Sequence, residues 1–254
     1  MKEKKMLFPL MVEPFQEDFK GYLSWANMGN MTLRIASLHA EAHGFGVTYM
    51  KEHQRGWVLS RLAIEMEEMP ASLQQFSIST WVSRIFRQFT DRNFEYRNAA
   101  GEVVGRGMST WALIDYQSRQ PINLEHLPNG GFSAAVLDEV PAMAGYTRIR
   151  VTEPQQRASR QCVVSDLDIN GHVNSIRFLD MAMDMLPFDW HCCHQLHRIE
   201  MSFGLEGRCG DSLEIAMQPL DEARFAFEIR RQADKAVLVK VLLAFKDVKL
   251  IDPA

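Results

Sequence analysis

Apolar residues recur at helical spacing twice along this chain, and each time runs rich in β-branched and aromatic residues follow. Met28, Met31, Ile35, Leu38, Ala42 and Phe45 trace one helix face, which Ser24 would cap and which Gly44 and Gly46 would close. Strands are predicted next at 57–66, 76–86, 89–96 and 103–114, punctuated by Met69-Pro70 and Ala100-Gly101. The second cycle begins with Val173, Ile176, Leu179, Met183 and Leu186, which predict a helix over 173–186. Strands at 195–203, 212–217, 225–231 and 237–245 complete it, with turns at 207–211 and at Asp221-Glu222. Between the cycles, residues 117–160 hold Pro121, Pro128, Asn129-Gly130-Gly131, Pro141 and Pro154 with little periodicity. That stretch reads as a connector with a short helix around Ala134 to Leu137. A helix followed by strands, twice, predicts a duplicated α+β chain in which a curved antiparallel sheet wraps an apolar helix in each copy. The expected division is 1–120, a connector at 121–160, and 161–254.

Composition narrows the function. Hydrophobic content of 46% and charged content of 24% over 254 residues fit a globular protein with room for two cores. A net charge of −4 makes no case for nucleic-acid binding, and no run of about 18 apolar residues could span a membrane. The basic start Met1-Lys2-Glu3-Lys4-Lys5 is followed by Pro9, Glu13 and Pro14, which interrupt any signal-peptide core, so a cytoplasmic protein is expected. Cys162, Cys192, Cys193 and Cys209 form no CxxC pair and read as reduced thiols. His191-Cys192-Cys193-His194 raises a metal site, but neighbours on a strand would point to opposite faces and no second ligand pair has the right spacing. No metal is expected, and the residues require no cofactor.

The densest chemistry lies in residues 165–174. Asp166, Asp168, Asn170, His172 and Asn174 fall there at alternate positions, with Asn170-Gly171 as a turn. Asp and Asn ahead of a helix are ordinary caps, and Asp166 and Asn174 are read as capping or supporting groups. Asp168, Asn170 and His172 together exceed what one cap requires. At the matching place in the first cycle stand Asp18, Lys20, Gly21, Tyr22 and Ser24, so the first copy lacks the imidazole and the carboxamide. His39, Glu41 and His43 are read as solvated or satisfied groups on a helix flank rather than as site residues.

Asp166-Leu167-Asp168-Ile169-Asn170-Gly171-His172-Val173-Asn174 and Leu205-Glu206-Gly207-Arg208-Cys209-Gly210-Asp211 resemble the two active-site segments of the acyl-acyl-carrier-protein (acyl-ACP) thioesterases of plants and bacteria. Arg55 to Leu59, Thr80-Trp81-Val82, Arg92-Asn93-Phe94 and Ser109-Thr110-Trp111 are similar to that family's N-terminal half, and the likeness runs from about Trp25 to Phe245. The resemblance implies a double hotdog fold and hydrolysis of the thioester joining a fatty acyl chain to acyl carrier protein. It implies Asp168, Asn170, His172 and Glu206 as catalytic residues, with the first unit non-catalytic and holding the acyl chain. Plant members carry a transit peptide, so the chain resembles a bacterial member. Gly207 follows the glutamate where some plant members have cysteine, which disfavours Cys209 as a nucleophile.

The residue types suit that chemistry. A carboxylate can attack a thioester carbonyl or activate water, while amide and imidazole groups orient it and polarise the carbonyl. Asp168 is read as base or nucleophile, Asn170 and His172 as its orienting partners, and Glu206 as water activator, with the two carboxylates exchangeable. Amides near Val173 and Asn174 are expected at the oxyanion, and Met28, Met31, Ile35, Trp57, Leu59 and Trp81 along the acyl chain. Arg84, Arg87, Arg92, Arg148, Arg150, Arg157 and Arg160 could form a docking patch for the carrier protein, which is acidic in this family's reactions. A hotdog acyl-CoA thioesterase and a non-catalytic acyl-binding module are the alternatives, and a homodimer is compatible with the fold.

Overall fold

The computed structural model describes residues 3–127 and 132–247; Pro128 and Asn129-Gly130-Gly131 lie outside them. The chain forms two compact units, Met1–Ala144 and Gly145–Ala254, which divide inside the expected connector.

In the first unit, strand β1 (Met6–Met11) precedes helix α1 (Trp25–Ala42), a short α2 (Val47–His53), β2 (Arg55–Met66), β3 (Gln75–Phe86), β4 (Phe89–Asn98) and β5 (Val103–Asp115). The strands pair antiparallel in the order β1-β3-β4-β5-β2. In the second unit the sequence is β6 (Gln156–Gln161), α3 (Arg177–Met183), α4 (Phe188–Cys193), β7 (His194–Phe203), β8 (Ser212–Pro219), β9 (Arg224–Arg231) and β10 (Val237–Asp247). Its antiparallel order is β6-β8-β9-β10-β7, the same arrangement. All eight strands expected from the apolar pattern are present. The two outermost strands, β1 and β6, were not expected. β1 contains Pro9, which is tolerated where a strand has one free edge, and β6 (Gln-Arg-Ala-Ser-Arg-Gln) has no apolar alternation and is held by backbone pairing to β8.

The connector is shared between the units. Leu124 and Leu127 join Leu113 in a core cluster of the first unit, and a 3-10 turn at Ser133–Ala135 stands where the short helix was expected, with Ala135 packed beside Val82.

Helix α1 starts at Ser24, whose side chain accepts a hydrogen bond from the Asn27 amide at 3.2 Å. Its buried stripe is Trp25, Met28, Thr32, Ile35, Ala36 and His39, rotated from the expected face: Leu38 is exposed, while Thr32 and His39 are fully buried. The rotation is satisfied by specific bonds. Thr32 Oγ1 donates to Met28 O and shares a 2.8 Å bond with Tyr96 on β4, and His39 Nε2 lies 3.0 Å from Lys4 O. His39 is therefore an interior group and not a flank residue. Ser24→Ala should lower stability by about 1 kcal/mol through loss of the cap, read as a reduced urea midpoint at unchanged slope.

The second unit's helix is shorter than expected, seven residues beginning at Arg177. Asn174 Oδ1 accepts from the Ile176 amide at 2.8 Å, and Gly207 O and Asp166 O accept from the amides of Val173 and Asn174. These contacts hold residues 173–176 in a bridge and a turn ahead of the helix. The segment 188–193 is helical, not a strand; His191 Nε2 and His194 Nδ1 each lie against a backbone carbonyl, of Met183 and Trp190.

Candidate active site

The polar stretch folds as a tight loop tied to itself at three levels. Asp166 is buried and closes a 3-10 turn (Val164–Asp166): its Oδ2 accepts from the Val163 amide at 2.9 Å and its Oδ1 pairs with Arg160 at 2.6 Å. Above it the Asp168 amide donates to His172 O at 2.8 Å and the Gly171 amide to Asp168 O at 3.1 Å. This reversal puts Gly171 at φ +74°, a left-handed conformation that costs glycine little. Asp168 Oδ1 accepts from the backbone amides of Asn170 (2.8 Å) and His172 (3.2 Å), and Oδ2 faces Asn170 Nδ2 at 3.4 Å. The aspartate is thus locked in one orientation, with one oxygen committed to the turn and the other beside a carboxamide.

The loop presents His172 to a second segment. The Val173 amide donates to Gly207 O at 2.9 Å, and His172 stands opposite Arg208 in an antiparallel bridge. Glu206 lies two residues before Arg208, and its carboxylate reaches the imidazole. His172 Nε2 and Glu206 Oε2 are 3.2 Å apart, with both side chains partly open to solvent. The strand segment is clamped from behind. Asp211 Oδ2 accepts from the Arg208 amide at 2.9 Å, and Arg231 Nη1 reaches both Glu206 O and Asp211 Oδ2 at 3.4 Å. The sequence reading missed Arg231 as a support; no local signal marks it, because it sits at the end of β9.

Gly207 is buried where a side chain would crowd the site. A Cβ there would lie 3.0 Å from Val173 Cγ2, 3.2 Å from Leu238 Cδ1 and 3.4 Å from Phe178 Cζ. Gly207→Ala should therefore displace Glu206 from His172 and lower kcat about tenfold or more, while costing about 1–3 kcal/mol of stability. Parallel urea and rate measurements separate the two effects.

The first unit contains the same loop. Asp18 Oδ1 accepts from the amides of Lys20 (2.9 Å) and Tyr22 (3.3 Å), the Asp18 amide donates to Tyr22 O, and Gly21 has φ +79°. The Leu23 amide donates to Pro70 O as that of Val173 does to Gly207 O, and Tyr22 bridges Ala71 as His172 bridges Arg208. The positions of Glu206, Gly207 and Arg208 are therefore held by Met69, Pro70 and Ala71. Aspartate and glycine recur in both loops because the turn needs them. Asn170, His172, Glu206 and Arg208 occur only in the second.

Other expected groups lie elsewhere. The Val173 and Asn174 amides are both engaged, so they are not oxyanion donors as expected, and α3 begins beyond them. Met28, Ile35 and Trp81 are fully buried in the first unit, Leu59 nearly so, and Met31 and Trp57 partly. The Trp81 and Trp57 indoles donate to the carbonyls of Glu139 and Phe45 at 2.7 and 2.8 Å. Arg92 is buried against Thr80 Oγ1 and cannot belong to a docking patch. Arg84, Arg157 and Arg160 pair with Asp91, Glu214 and Asp166; Arg148 and Arg150 are exposed. Cys209 is exposed, whereas Cys162 is buried, and its thiol is pushed up to about 11 by burial and by Asp166 and Asp211 nearby.

Comparison with known proteins follows the two units. Residues 6–126 match the acyl-ACP thioesterase N-terminal domain family, and residues 151–245 match the acyl-ACP thioesterase C-terminal domain family. The crystal structure of an acyl-ACP thioesterase from Bacteroides thetaiotaomicron is 35% identical, with a TM-score of 0.89 over 96% of this chain and 98% of that one. The 12:0-ACP thioesterase of Umbellularia californica shares the fold at 15% identity, with a TM-score of 0.85 over 98% and 99% of the two chains. The palmitoyl-acyl carrier protein thioesterase of Gossypium hirsutum is 24% identical over 184 residues, 70% of this chain and 44% of the relative. The chain spans about half the length of the curated plant relatives it matches. The duplicated architecture is a double hotdog.

Proposed function

We propose, from the premise that this chain belongs to the acyl-ACP thioesterase family, that it hydrolyses fatty acyl-ACP to free fatty acid and the carrier thiol. The observation that carries the reading is the 3.2 Å His172–Glu206 pair beside a locked Asp168, in the copy of the loop that has these groups and not in the copy that lacks them.

In this reading Asp168 Oδ2 attacks the thioester carbonyl carbon. The tetrahedral adduct collapses by breaking the C–S bond, and the thiolate leaves readily because thiols are fairly acidic. Glu206 then takes a proton from water, the resulting hydroxide adds to the acyl carbonyl of the mixed anhydride, and the Asp168 carboxylate departs. His172, held by Glu206 through Nε2, orients that carboxylate and gives a proton to the departing thiolate, and the proton that Glu206 takes from water passes back to His172, restoring both groups. Asn170 Nδ2 steadies Asp168 Oδ2 and polarises the carbonyl. No helix among the described residues is long and apolar enough to cross a membrane, which fits a cytoplasmic enzyme acting on a diffusing carrier.

The test is free-thiol release from ACP and coenzyme A thioesters over a range of chain lengths, with Glu206→Gln alongside. Turnover of the carrier-linked substrates that falls about 10²-fold in Glu206→Gln supports the reading. Turnover of coenzyme A thioesters alone would make it an acyl-CoA thioesterase. Stoichiometric acyl-chain binding without release would make it a binding module.

A further inference from the structure

Arg208 is the one residue of the dyad's cross-strand group that the proposed chemistry does not use. It stands directly opposite His172, and because the Val173 amide donates to Gly207 O the two form a non-hydrogen-bonded pair, the closer of the two antiparallel pairings. Glu206 lies two residues before it. The imidazole thus meets the Glu206 carboxylate at 3.2 Å, and the residue opposite it across the bridge is an arginine. The arginines around this loop are all paired, Arg160 with Asp166, Arg177 with Asp180, and Arg231 with Asp211 and Asp234. Arg208 is exposed, and among the described residues only its backbone is engaged, by Asp211 and in the bridge to His172. Its counterpart in the loop without the dyad is Ala71, so the turn itself does not require a long cationic side chain.

An arginine whose backbone is held opposite His172 and whose side chain is exposed can reach the part of a substrate that leads away from sulfur. In carrier-protein and coenzyme A thioesters alike, that part is a flexible arm bearing secondary amides. Acidic groups on a carrier's surface are held away from the bond by the length of the arm. A charged donor facing amide carbonyls makes the stronger class of hydrogen bond. We propose that Arg208 is a positioning residue that binds the amide carbonyls of the pantetheine arm and holds the thioester over Asp168 and His172. This rests on the thioesterase reading above.

The experiment compares the parent, Arg208→Ala and Arg208→Lys on one acyl chain carried by three thiols: ACP, pantetheine, and a simple alkanethiol without amides. Arg208→Ala should raise KM about tenfold for both amide-bearing substrates, with the deficit in KM rather than kcat and far smaller for the alkyl thioester. Arg208→Lys should recover part of the loss. Binding of a non-hydrolysable pantetheine thioether with the same chain, measured by calorimetry, should weaken in parallel. A deficit confined to the ACP substrate and abolished by salt would overturn the inference in favour of surface docking. An equal fall in kcat on all three substrates would overturn it in favour of a role at the reacting bond, and unchanged KM and thioether affinity would remove Arg208 from the site. Should the parent release no thiol from any substrate, the thioesterase reading fails; weakened thioether binding in Arg208→Ala would then still show the arm site by itself.

Discussion

Asp168→Asn is expected to leave the fold and the loop intact while lowering kcat on the order of 10³-fold. The reason lies in the two oxygens of this side chain. Oδ1 accepts from the amides of Asn170 and His172, and an asparagine carbonyl oxygen can accept both bonds unchanged. Oδ2 is the oxygen assigned to attack, and asparagine puts an uncharged NH2 there, facing Asn170 Nδ2. The substitution therefore separates the turn from the chemistry. Asp168→Ala would remove both and is the less informative variant. The first unit supplies the control. Asp18 holds the same turn beside Tyr22 rather than histidine, so Asp18→Asn should change neither rate nor urea midpoint, and Asp18→Ala should cost stability without touching the chemical step. Rates on acyl-ACP, with circular dichroism and urea titration of all four variants, decide the matter. Activity within a few fold of the parent in Asp168→Asn would reduce Asp168 to a turn former and pass its role to Glu206.

The second large effect is on stability. His39 is fully buried on α1, and burial, reinforced by the positive charge of Arg92 and by His43, pushes its imidazole down from 6.5 to about 3, against a smaller upward pull from the Lys4 carbonyl. Lys4 O can only accept, so Nε2 carries the proton in the bond between them, and Nδ1 is left as a buried acceptor without a protein hydrogen-bond donor. Protonation would place a charge and a new donor there. The unfolded chain binds that proton near pH 6.5 and the folded chain only near 3, so between those values the unfolded state holds more protons. Stability is then whole above pH 6.5 and falls as pH drops toward 3, by up to about 1.4 kcal/mol per pH unit from this group. His39→Gln keeps a donor for Lys4 O and does not titrate. Its urea midpoint should decline less steeply than the parent's between pH 6.5 and 4, and parallel curves would rule the effect out.

Much of the fold was legible because the core strands alternate or run apolar in ways only a sheet satisfies. Strands β2 to β5 and β7 to β10 sit within a few residues of their expected bounds. The duplication was legible too, since Asp18, Gly21, Tyr22 and Ser24 repeat the spacing of Asp168, Gly171, His172 and Asn174. Strands β1 and β6 were not, because an outermost strand can be held by its neighbour's backbone with no apolar code of its own. The face of α1 was misread at Leu38 and His39, since a buried histidine is paid for by a partner, Lys4 O, that lies 35 residues away.

By itself the sequence determined the polar loop: the Asp and Gly of its turn and the carboxamide and imidazole it carries, set by short-range spacing and residue type, while the glutamate segment downstream stood out only through the family resemblance. Only the tertiary structure decided which of these groups meet. The pairing of the 172–173 segment with 207–208 puts Glu206 on the imidazole 34 residues before it, commits the Val173 amide to the Gly207 carbonyl, and sets Arg208 opposite His172. Such pairings are backbone hydrogen bonds between distant segments, which every non-proline residue can make, so side-chain identity along the chain does not specify them.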